Sequence, residues 1–402
     1  MYGPRRRYYI HNGNNADLIR KQFRDRKGWS PAARPSELKA MNQGKGIRNM
    51  SELGGMADFV WCQYKSNVGD YTKFNAVTRS KKNKRDACVV NHFENNRVLV
   101  SKCGLYTSLL ENGLYAHDKV SIIPWTVVLH PQKEGTENTE QVLLAQGAEG
   151  DGIYIIKPGQ GTNRGMGIVI VKSLAEVRTA MEQVVAKGSK RKSWIVQKYI
   201  ERPMLLRGRK FDIRCFVLLV QACQNSDERE QKLDGYLHTQ AYLRTSGIRY
   251  TLDSLSNRFV HLTNDAVQSK SKTYGACEQG NKLSLAEFSA VLDAQNGPGS
   301  GGWVDQVCWP EISKICAKTL DSVQETINPN QRPRCFELYG FDFMVTEDRL
   351  VQLIEVNENP CLEQVCPLLR KIIPKVVDDT FKIVSSAFFG QATGDTEFVK
   401  II

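Results

Sequence analysis

Two apolar stretches near the end of the chain contain residues that could bind a cation. Asp342 lies inside the stretch 341–345, and Glu355 and Asn357 alternate with apolar residues in the stretch 353–357. Residues two apart on a β-strand share a face, so these side chains can converge if both stretches belong to one sheet. Buried carboxylates are costly unless a partner compensates their charge. Magnesium takes hard oxygen ligands and usually keeps a phosphate, so the pattern predicts a magnesium site; ion pairs with core arginines are the alternative.

A glycine-rich stretch runs from Lys157 to Gly167 and also contains the cation Arg164. Glycine lets backbone N–H groups approach a phosphate closely, and Lys157 at the end of a predicted strand can neutralise its charge. The spacing matches neither the P-loop nor the Rossmann fingerprint, which excludes both of those nucleotide-binding classes. A purely structural turn is the alternative for this loop taken alone.

A third stretch places charges on one face of a predicted strand. Lys210, Asp212 and Arg214 alternate with apolar residues, and cations facing a buried surface need an anionic partner. Arg244 and His261 add polar groups in sequence that otherwise resembles core. For His261 alone, a hydrogen-bonded core histidine is the default interpretation. Together, the three stretches predict a site that holds a nucleoside triphosphate between two sheets.

The elements that must position these residues follow from apolar periodicity and turn residues. Residues 1–130 read as a small N-terminal α/β domain, residues 131–151 as a polar connection, and residues 391–402 as a tail. Residues 152–208 contain predicted strands at 152–158, 168–171 and 194–199, with a helix capped by Ser173. Residues 209–390 contain predicted strands at 211–220, 235–244, 338–345 and 350–356, and helices at 283–295, 310–327 and 367–386. Residues 152–208 would form the central nucleotide-binding unit with the glycine loop. Residues 209–390 would form the C-terminal unit with the metal-binding strands.

Composition limits the class of protein without naming it. The 402 residues are 41% hydrophobic, enough for a large core, and the net charge of +12 favours a partner with clustered negative charge. The 11 cysteines include no C-x-x-C pair, which favours a reducing compartment. Because no long apolar run occurs, the sequence predicts a soluble protein that is not secreted.

The sequence resembles the tubulin tyrosine ligase-like family, a branch of the ATP-grasp ligases. The resemblance runs from Asn91-His92-Phe93 to Pro360, and four segments are specific in combination: residues 197–200, 209–214, 261–264 and 355–360. It implies an α/β (α+β) fold of ATP-grasp architecture, in which two mainly antiparallel sheets hold the nucleotide beside a small N-terminal α/β domain.

The resemblance also implies roles for individual residues. ATP and Mg²⁺ would be the cofactors. The triphosphate would contact Lys102, Lys157, Lys210 and Arg214, and Arg164 and Gly165 in the glycine loop. The adenine would be framed by Gln197, Lys198, Tyr199 and Ile200, with Asp212 close to the ribose. Asp342, Glu355 and Asn357 would hold magnesium. Arg244, Thr263 and Asn264 would lie near the acceptor carboxylate, the incoming amino acid and the terminal phosphate, and the catalytic residues would be Lys210, Arg214, Arg244 and Glu355.

The implied reaction joins a free amino acid to a carboxylate of the acidic C-terminal tail of tubulin, through an acyl phosphate. Glycine, glutamate and tyrosine all stay open as the amino acid added. A catalytically silent tubulin-binding module and an ATP-grasp ligase with another substrate are the alternatives. A monomer in the cytoplasm, on microtubules or in cilia, is expected, with no nucleic-acid or membrane partner. Ser101 and Cys361 depart from residues common in the family, but neither change removes a predicted metal or phosphate ligand.

Overall fold

The computed structural model describes residues 6–32, 57–63, 88–115, 121–160, 165–221 and 233–402. Near the N-terminus, four short parallel strands form a sheet in the order β2-β1-β3-β4, where β1 is Arg6–Ile10, β2 Trp29–Pro31, β3 Phe59–Trp61 and β4 Val89–Val90. The helix Ala16–Arg24 connects β1 to β2, and the helices Arg97–Val100 and Lys102–Glu111 follow β4. Parallel strands with a crossover helix are typical of an α/β unit, as predicted for this end of the chain.

The middle sheet contains four antiparallel strands in the order β5-β8-β6-β7. They are β5 (Thr126–Leu129), β6 (Asp151–Pro158), β7 (Val169–Ser173) and β8 (Trp194–Lys198). The glycine-rich stretch therefore joins two paired strands, as predicted. The helix Leu174–Ala186 begins where the Ser173 side chain accepts a hydrogen bond from the backbone N–H of Glu176, which satisfies one of the free N–H groups of its first turn.

The stretch predicted as a polar connection contains two short helices, Pro131–Glu134 and Thr139–Ala145. Leu143 in the second helix is fully buried and belongs to the same core as Val177 and Met181 of the long helix beside it. Val142 and Leu144 on either side are exposed. This buried leucine, together with an ion pair of 2.8 Å between Glu140 and Arg178, attaches the polar segment to the long helix.

The largest sheet is built around one long antiparallel strand, β10 (Arg209–Gln221). Its other members are β9 (Leu205–Leu206), β11 (Leu233–His238), β12 (Tyr242–Arg249), β13 (Lys282–Ser284), β14 (Phe336–Val345), β15 (Val351–Glu358) and β16 (Phe398–Lys400). β14 pairs with β10 and with β15, so the two strands that carry the predicted metal ligands are neighbours.

The predicted strand at 235–244 is wrong in one respect, because two strands replace it. β11 pairs with the second half of β10 and β12 with the first half, and the pairing shifts by two residues between Val217↔Leu237 and Arg214↔Tyr242. The intervening turn satisfies its backbone elsewhere: the N–H of Thr239 donates to the carbonyl of Glu397, and the N–H of Gln240 donates to Nδ1 of His238. In the sequence, the polar pair Thr239-Gln240 marks this break, and the residues on both sides of it, His238 and Ala241, are buried.

The remaining helices are Arg258–His261, Asp265–Gln268, Leu285–Asn296, Trp309–Asp321 and Pro367–Phe389, with a 3₁₀ turn at Gln279–Asn281 and a π-helical turn at Val304–Cys308. The predicted capping box of Ser284 and Glu287 is confirmed. The helix predicted at 310–327 is shorter in the structure and ends at Asp321. Val323 and Ile327 are buried in the turns that follow, so the apolar pattern extends beyond the helix itself. Among the described residues, no helix combines the length and apolar character that crossing a bilayer requires.

The two faces of the central sheet explain where a site can form. Phe211, Ile213 and Cys215 on one face of β10 belong to the core beneath the sheet. On the other face, Phe216, Leu218 and Val220 pack with the helix Pro367–Phe389 and the N-terminal sheet. The same face carries Lys210, Asp212 and Arg214 in the first half of the strand. One face of a single strand therefore changes from apolar to charged.

Candidate active site

The charged half of β10 forms one wall of a cleft whose other wall is the middle sheet. Lys157 of β6 and Gln197 of β8 line it from one side, and Lys210 and Asp212 line it from the other. The predicted alternation on β10 is confirmed, because Lys210, Asp212 and Arg214 share the face opposite Phe211 and Ile213.

β14 and β15 bring the three predicted metal ligands together. Asp342 lies directly opposite Glu355 in the pairing of the two strands. The Asn357 side-chain amide lies 3.1 Å from an oxygen of Asp342 and 3.3 Å from an oxygen of Glu355. The three oxygen-bearing side chains thus form the cluster that the spacing predicts, and this donor set fits a magnesium ion.

A β-bulge on β15 determines which of its side chains face the cleft. Phe343 pairs with Leu353 but Asp342 pairs with Glu355, so Ile354 is an extra residue on β15. Leu353 and Val356 on either side both point into the core, whereas Ile354 and Glu355 both line the cleft. Bulges of this kind re-aim side chains beside functional sites.

The Asp342 carboxylate is paired with two arginines. Its two oxygens lie 2.5 and 2.9 Å from Nε and Nη2 of Arg214, and Nη2 of Arg244 lies 2.9 Å from the second oxygen. Asp342 is 1% exposed. The arginine pairing considered from the sequence alone therefore describes Asp342 in this state. Metal binding at Asp342 stays a prediction, and it requires at least one arginine to exchange its partner.

Gly340 provides the space that this ion pair needs. A Cβ atom at Gly340 would lie 3.2 Å from the guanidinium carbon of Arg214 and 3.0 Å from Cβ of Pro360. Both distances are shorter than ordinary van der Waals contact, so a side chain at this position would displace Arg214.

Glu355 has a different environment from Asp342. Its side chain is 23% exposed and one oxygen lies 3.3 Å from Nζ of Lys102. Burial acts to raise the pKa of Glu355, but the nearby cations Lys102, Lys157 and Arg244 outweigh it and hold the pKa well below the usual range. Glu355 is therefore ionised at neutral pH and offers a charged oxygen to a cation.

Two buried lysines face the cleft from opposite sheets. Burial and the neighbouring Lys102 lower the pKa of Lys157 to about 8, and burial and Lys157 lower the pKa of Lys210 to about 7. Lys157 donates to Oε1 of Gln197 at 2.7 Å, and Lys210 donates to the hydroxyl of Tyr199 at 3.0 Å. Within the part of the chain that the structure describes, neither ammonium group forms an ion pair with a carboxylate. Buried cations in this situation are stabilised by an anionic ligand.

The residues predicted near the acceptor and the ribose form one connected group. Arg244 Nε lies 2.6 Å from an oxygen of Asp212, and the hydroxyl of Thr263 donates to the other oxygen. All three residues line the cleft, as does Asn264. Asp212 thus bridges Arg244 and Thr263.

The predicted adenine-framing segment also lies at the cleft, since Gln197, Lys198, Tyr199 and Ile200 all line it. The ammonium group of Lys198, however, lies 2.5 Å from Glu149 and 5.4 Å from the ring centroid of Tyr154. This places the end of the Lys198 side chain beside Glu149 and Tyr154. Gln197 is held by its amide, which donates to the hydroxyl of Thr126 at 2.8 Å.

Apolar residues that the sequence reasoning missed complete the walls of the cleft. They include Ile155, Met344 and Ile354. The signal for two of them is present in the sequence: Ile155 lies two residues from Lys157 and Met344 two residues from Asp342, so each shares a strand face with a predicted ligand. Ile354 reaches the cleft only through the bulge.

The glycine loop is partly described. Arg164 lies outside the described residues, so its role stays a prediction. Gly165 has a φ of +69°, a left-handed conformation that favours glycine. Its carbonyl accepts a hydrogen bond of 2.8 Å from Arg258. Gly165 lines a second, larger cleft of about 710 Å³.

This second cleft adjoins the first, because Arg244 and Glu355 line both. Its other walls include Lys102, Arg214 and Asn357. The inner cavity alone is about 90 Å³, which is smaller than the 300–1,000 Å³ typical of ligand pockets. A nucleotide would therefore need the two sheets to move apart or would extend into the larger cleft.

Two antiparallel sheets that enclose a cleft with cations on both walls define the ATP-grasp type of α/β fold, as predicted. The chain belongs to the tubulin-tyrosine ligase family, whose model matches residues 79–393.

Known relatives differ in the amino acid that their names specify. Tubulin glycylase 3C of Tetrahymena thermophila is 32% identical over 241 residues, which cover 58% of this chain and 20% of the relative. Tubulin glycylase 3B of Drosophila melanogaster is 34% identical over 236 residues, 58% of this chain and 29% of the relative. Probable tubulin polyglutamylase TTLL9 of Rattus norvegicus is 32% identical over 192 residues, 48% of this chain and 38% of the relative. The chain thus spans less than half the length of each of these proteins.

Proposed function

We propose that this chain is an ATP- and magnesium-dependent ligase that joins an amino acid to a carboxylate on an acidic tail of tubulin. The observation that carries this proposal is the pair of buried lysines, Lys157 and Lys210, without carboxylate partners among the described residues. A triphosphate would compensate both charges at once. The names of the relatives, which are tubulin glycylases and polyglutamylases, support tubulin as the acceptor.

In this proposal the ion pairs of the free chain are exchanged on binding. The triphosphate gives Arg214 and Arg244 an anionic partner, and the Asp342 carboxylate becomes available to a metal ion. Asp342, Glu355 and Asn357 would hold magnesium, which would compensate the charge of the phosphate oxygens. Magnesium would offset only part of the triphosphate charge, so the two together would still bring the negative charge that compensates Lys157 and Lys210.

The chain's own residues then serve a two-step amide synthesis. Lys210 and Arg214 orient the terminal phosphate, and their charge stabilises the transferring phosphoryl group. The acceptor carboxylate attacks that phosphorus and releases ADP, which gives an acyl phosphate. The amine of the incoming amino acid displaces inorganic phosphate and forms the amide. No side-chain nucleophile takes part, so the site needs positioning groups rather than a Cys-His or Ser-His pair.

The charge of the protein supports an acidic acceptor. A net charge of +12 attracts a tail rich in glutamate and increases the rate of encounter. With such an acceptor, the protein would act on the microtubule cytoskeleton. Glycine and glutamate are the amino acids that the names of the relatives favour, and tyrosine is the third candidate from the sequence.

Mass spectrometry of tubulin tests the proposal directly. The chain is incubated with tubulin, ATP, magnesium and either glycine, glutamate or tyrosine, and a mass increase on the C-terminal tails of tubulin is expected with one of them. Glu355→Gln should abolish the increase while the melting temperature stays near that of the wild type, because Glu355 is partly exposed. Modification by Glu355→Gln at the wild-type rate would overturn the mechanism. Wild-type protein that binds tubulin but not magnesium ATP would instead indicate a silent binding module.

A further inference from the structure

Three side chains on the wall of the cleft form a chain of hydrogen bonds that the reaction described above does not use. The ammonium group of Lys210 lies 3.0 Å from the hydroxyl of Tyr199. That hydroxyl lies 2.8 Å from Nδ1 of His261, and Nε2 of His261 lies 2.9 Å from the carbonyl oxygen of Ser254. Lys210 and His261 are buried, and Tyr199 is 4% exposed.

The direction of each hydrogen bond follows from the groups at the two ends. A carbonyl oxygen only accepts, so Nε2 of His261 carries a proton and donates to Ser254. Burial lowers the pKa of His261, and the charge of Lys210 acts in the same direction, so the ring is neutral and Nδ1 accepts. The single proton of the Tyr199 hydroxyl therefore points to His261. Its lone pairs are left to accept from Lys210.

We propose that His261 is a positioning residue, which fixes the orientation of the Tyr199 hydroxyl and through it holds the ammonium group of Lys210 in the cleft. The inference rests on the proposed function in one respect, namely that Lys210 contacts the triphosphate. The role proposed for His261, which lines the cleft, is exerted through Tyr199. The hydrogen bonds on both sides of Tyr199 give the hydroxyl one orientation, in which it can only accept from Lys210.

The groups around Lys210 show why this single acceptor matters. Lys157 faces it from β6, Asp212 lies two residues along its own strand, and the ring centroid of Tyr199 lies 4.5 Å from Nζ. The hydroxyl of Tyr250 also interacts with the hydroxyl of Tyr199, and it donates its own proton to the carbonyl of Glu201. Among the described residues, the Tyr199 hydroxyl is the hydrogen-bond acceptor of Nζ. Its loss would leave the buried ammonium group with the ring face and the charge of Asp212 as favourable neighbours, opposed by the charge of Lys157.

Two substitutions of His261 separate positioning from simple packing. His261→Asn keeps an acceptor near the place of Nδ1, whereas His261→Gln keeps a donor near the place of Nε2. The pKa of Lys210 is measured in the ligand-free protein from the pH dependence of its labelling by an amine-reactive reagent, with peptide mass spectrometry to resolve the site. Tyr199→Phe should lower this pKa by about one unit, the size of a hydrogen bond to a charged group. His261→Gln should shift it in the same direction, and His261→Asn should retain the wild-type value.

Tyr154→Phe is the matched control, because Tyr154 is a buried tyrosine of the neighbouring strand β6 whose hydroxyl donates to the carbonyl of Glu149. It should leave the pKa of Lys210 unchanged. Equal effects of His261→Asn and His261→Gln on this pKa, or no effect of either beside a lowered melting temperature, would overturn the proposal. The labelling needs no nucleotide, so it separates the two proposals. If the pKa follows the expected order but magnesium ATP does not bind the wild type, the positioning role stands and the proposed function fails.

Discussion

Arg214 and Asp342 lie directly opposite each other on β10 and β14 and form a two-pronged ion pair, with N–O distances of 2.5 and 2.9 Å. Both side chains are buried. In the free protein, this pair connects the strand that would bind phosphate with the strand that would bind metal. The ion pair keeps both charges compensated until ligands replace each partner.

Removal of the Asp342 charge should therefore destabilise the fold, in contrast to removal of the Glu355 charge. Asp342→Asn leaves Arg214 and Arg244 without their shared carboxylate, and we expect a loss of about 3 kcal/mol in the free energy of unfolding. Glu355→Gln should cost less than about 1 kcal/mol, because Glu355 is partly exposed and its one ion pair is longer. Urea unfolding of both variants measures the difference. Equal losses would contradict the different roles given to the two acids.

The buried ammonium group of Lys210 should make stability depend on pH. Its pKa of about 7 in the folded chain lies below the ordinary value of 10.5, so the unfolded chain binds more protons between these values. The free energy of unfolding should then rise with pH across that window. Below pH 7, the fold bears the full cost of burying the charged ammonium group of Lys210. Lys210→Met should be more stable than the wild type at pH 6, and the difference should shrink towards pH 10. Urea unfolding at several pH values tests this, and a constant difference would contradict it.

Nucleotide binding should take up protons above neutral pH. At pH 8 Lys210 is mostly neutral in the free chain, and a bound triphosphate would raise its pKa. Calorimetry in two buffers with different ionisation enthalpies measures this proton uptake. Lys210→Arg is the matched control, because arginine stays charged and should take up fewer protons on binding. The same uptake in both proteins would exclude Lys210 as the source.

Magnesium should be required for the nucleotide to stabilise the fold. A ligand present at 100 times its Kd adds about 2.7 kcal/mol to the free energy of unfolding. We expect ATP with magnesium to raise the melting temperature, and EDTA or the substitution Asn357→Leu to remove most of the shift. A full shift with ATP in EDTA would show that the acid cluster does not bind the metal needed by the nucleotide.

The buried histidine His92, which pairs with Glu337 on β14, should make stability depend on pH in the opposite direction from Lys210. One oxygen of Glu337 lies 2.8 Å from Nδ1 of His92, in the segment that leads to Lys102. Burial acts to lower the pKa of His92, but Glu337 outweighs it and the pKa is raised overall. The pair of His92 and Glu337 thus stabilises the fold below pH 6.5, and this contribution is lost as pH rises through the raised pKa of His92. Glu337→Gln should remove this dependence, and NMR titration of His92 gives the pKa itself.

Much of the site could be predicted because alternation on strands leaves a clear record in sequence. The shared face of Lys210, Asp212 and Arg214 follows from a period of two, and so does the shared face of Glu355 and Asn357 on β15. The partners across the cleft could not be predicted in this way. The contact between Lys102 and Glu355 joins residues far apart in the chain, and periodicity contains no information about such distances.

The break between β11 and β12 was missed for a related reason. His238 and Ala241 are buried on either side of the turn, and a polar pair such as Thr239-Gln240 also occurs inside half-exposed strands, so these residues do not by themselves reveal the break in the hydrogen-bond ladder. The backbone of the turn is satisfied by Glu397 and by a histidine ring. Partners of this kind become apparent only when the three-dimensional arrangement is known.

The extra residue Ile354 determines how β15 would respond to a change in length. Leu353 and Val356 both face the core, although a regular strand would place residues three apart on opposite faces. Deletion of Ile354 would leave these two residues two apart, so regular alternation would keep both in the core and Glu355 on the cleft side. Deletion of a residue outside the bulge would instead reverse the faces of the strand beyond it. The bulge is thus a point at which β15 can lose a residue without reversing its faces, although the cleft would lose the wall that Ile354 provides.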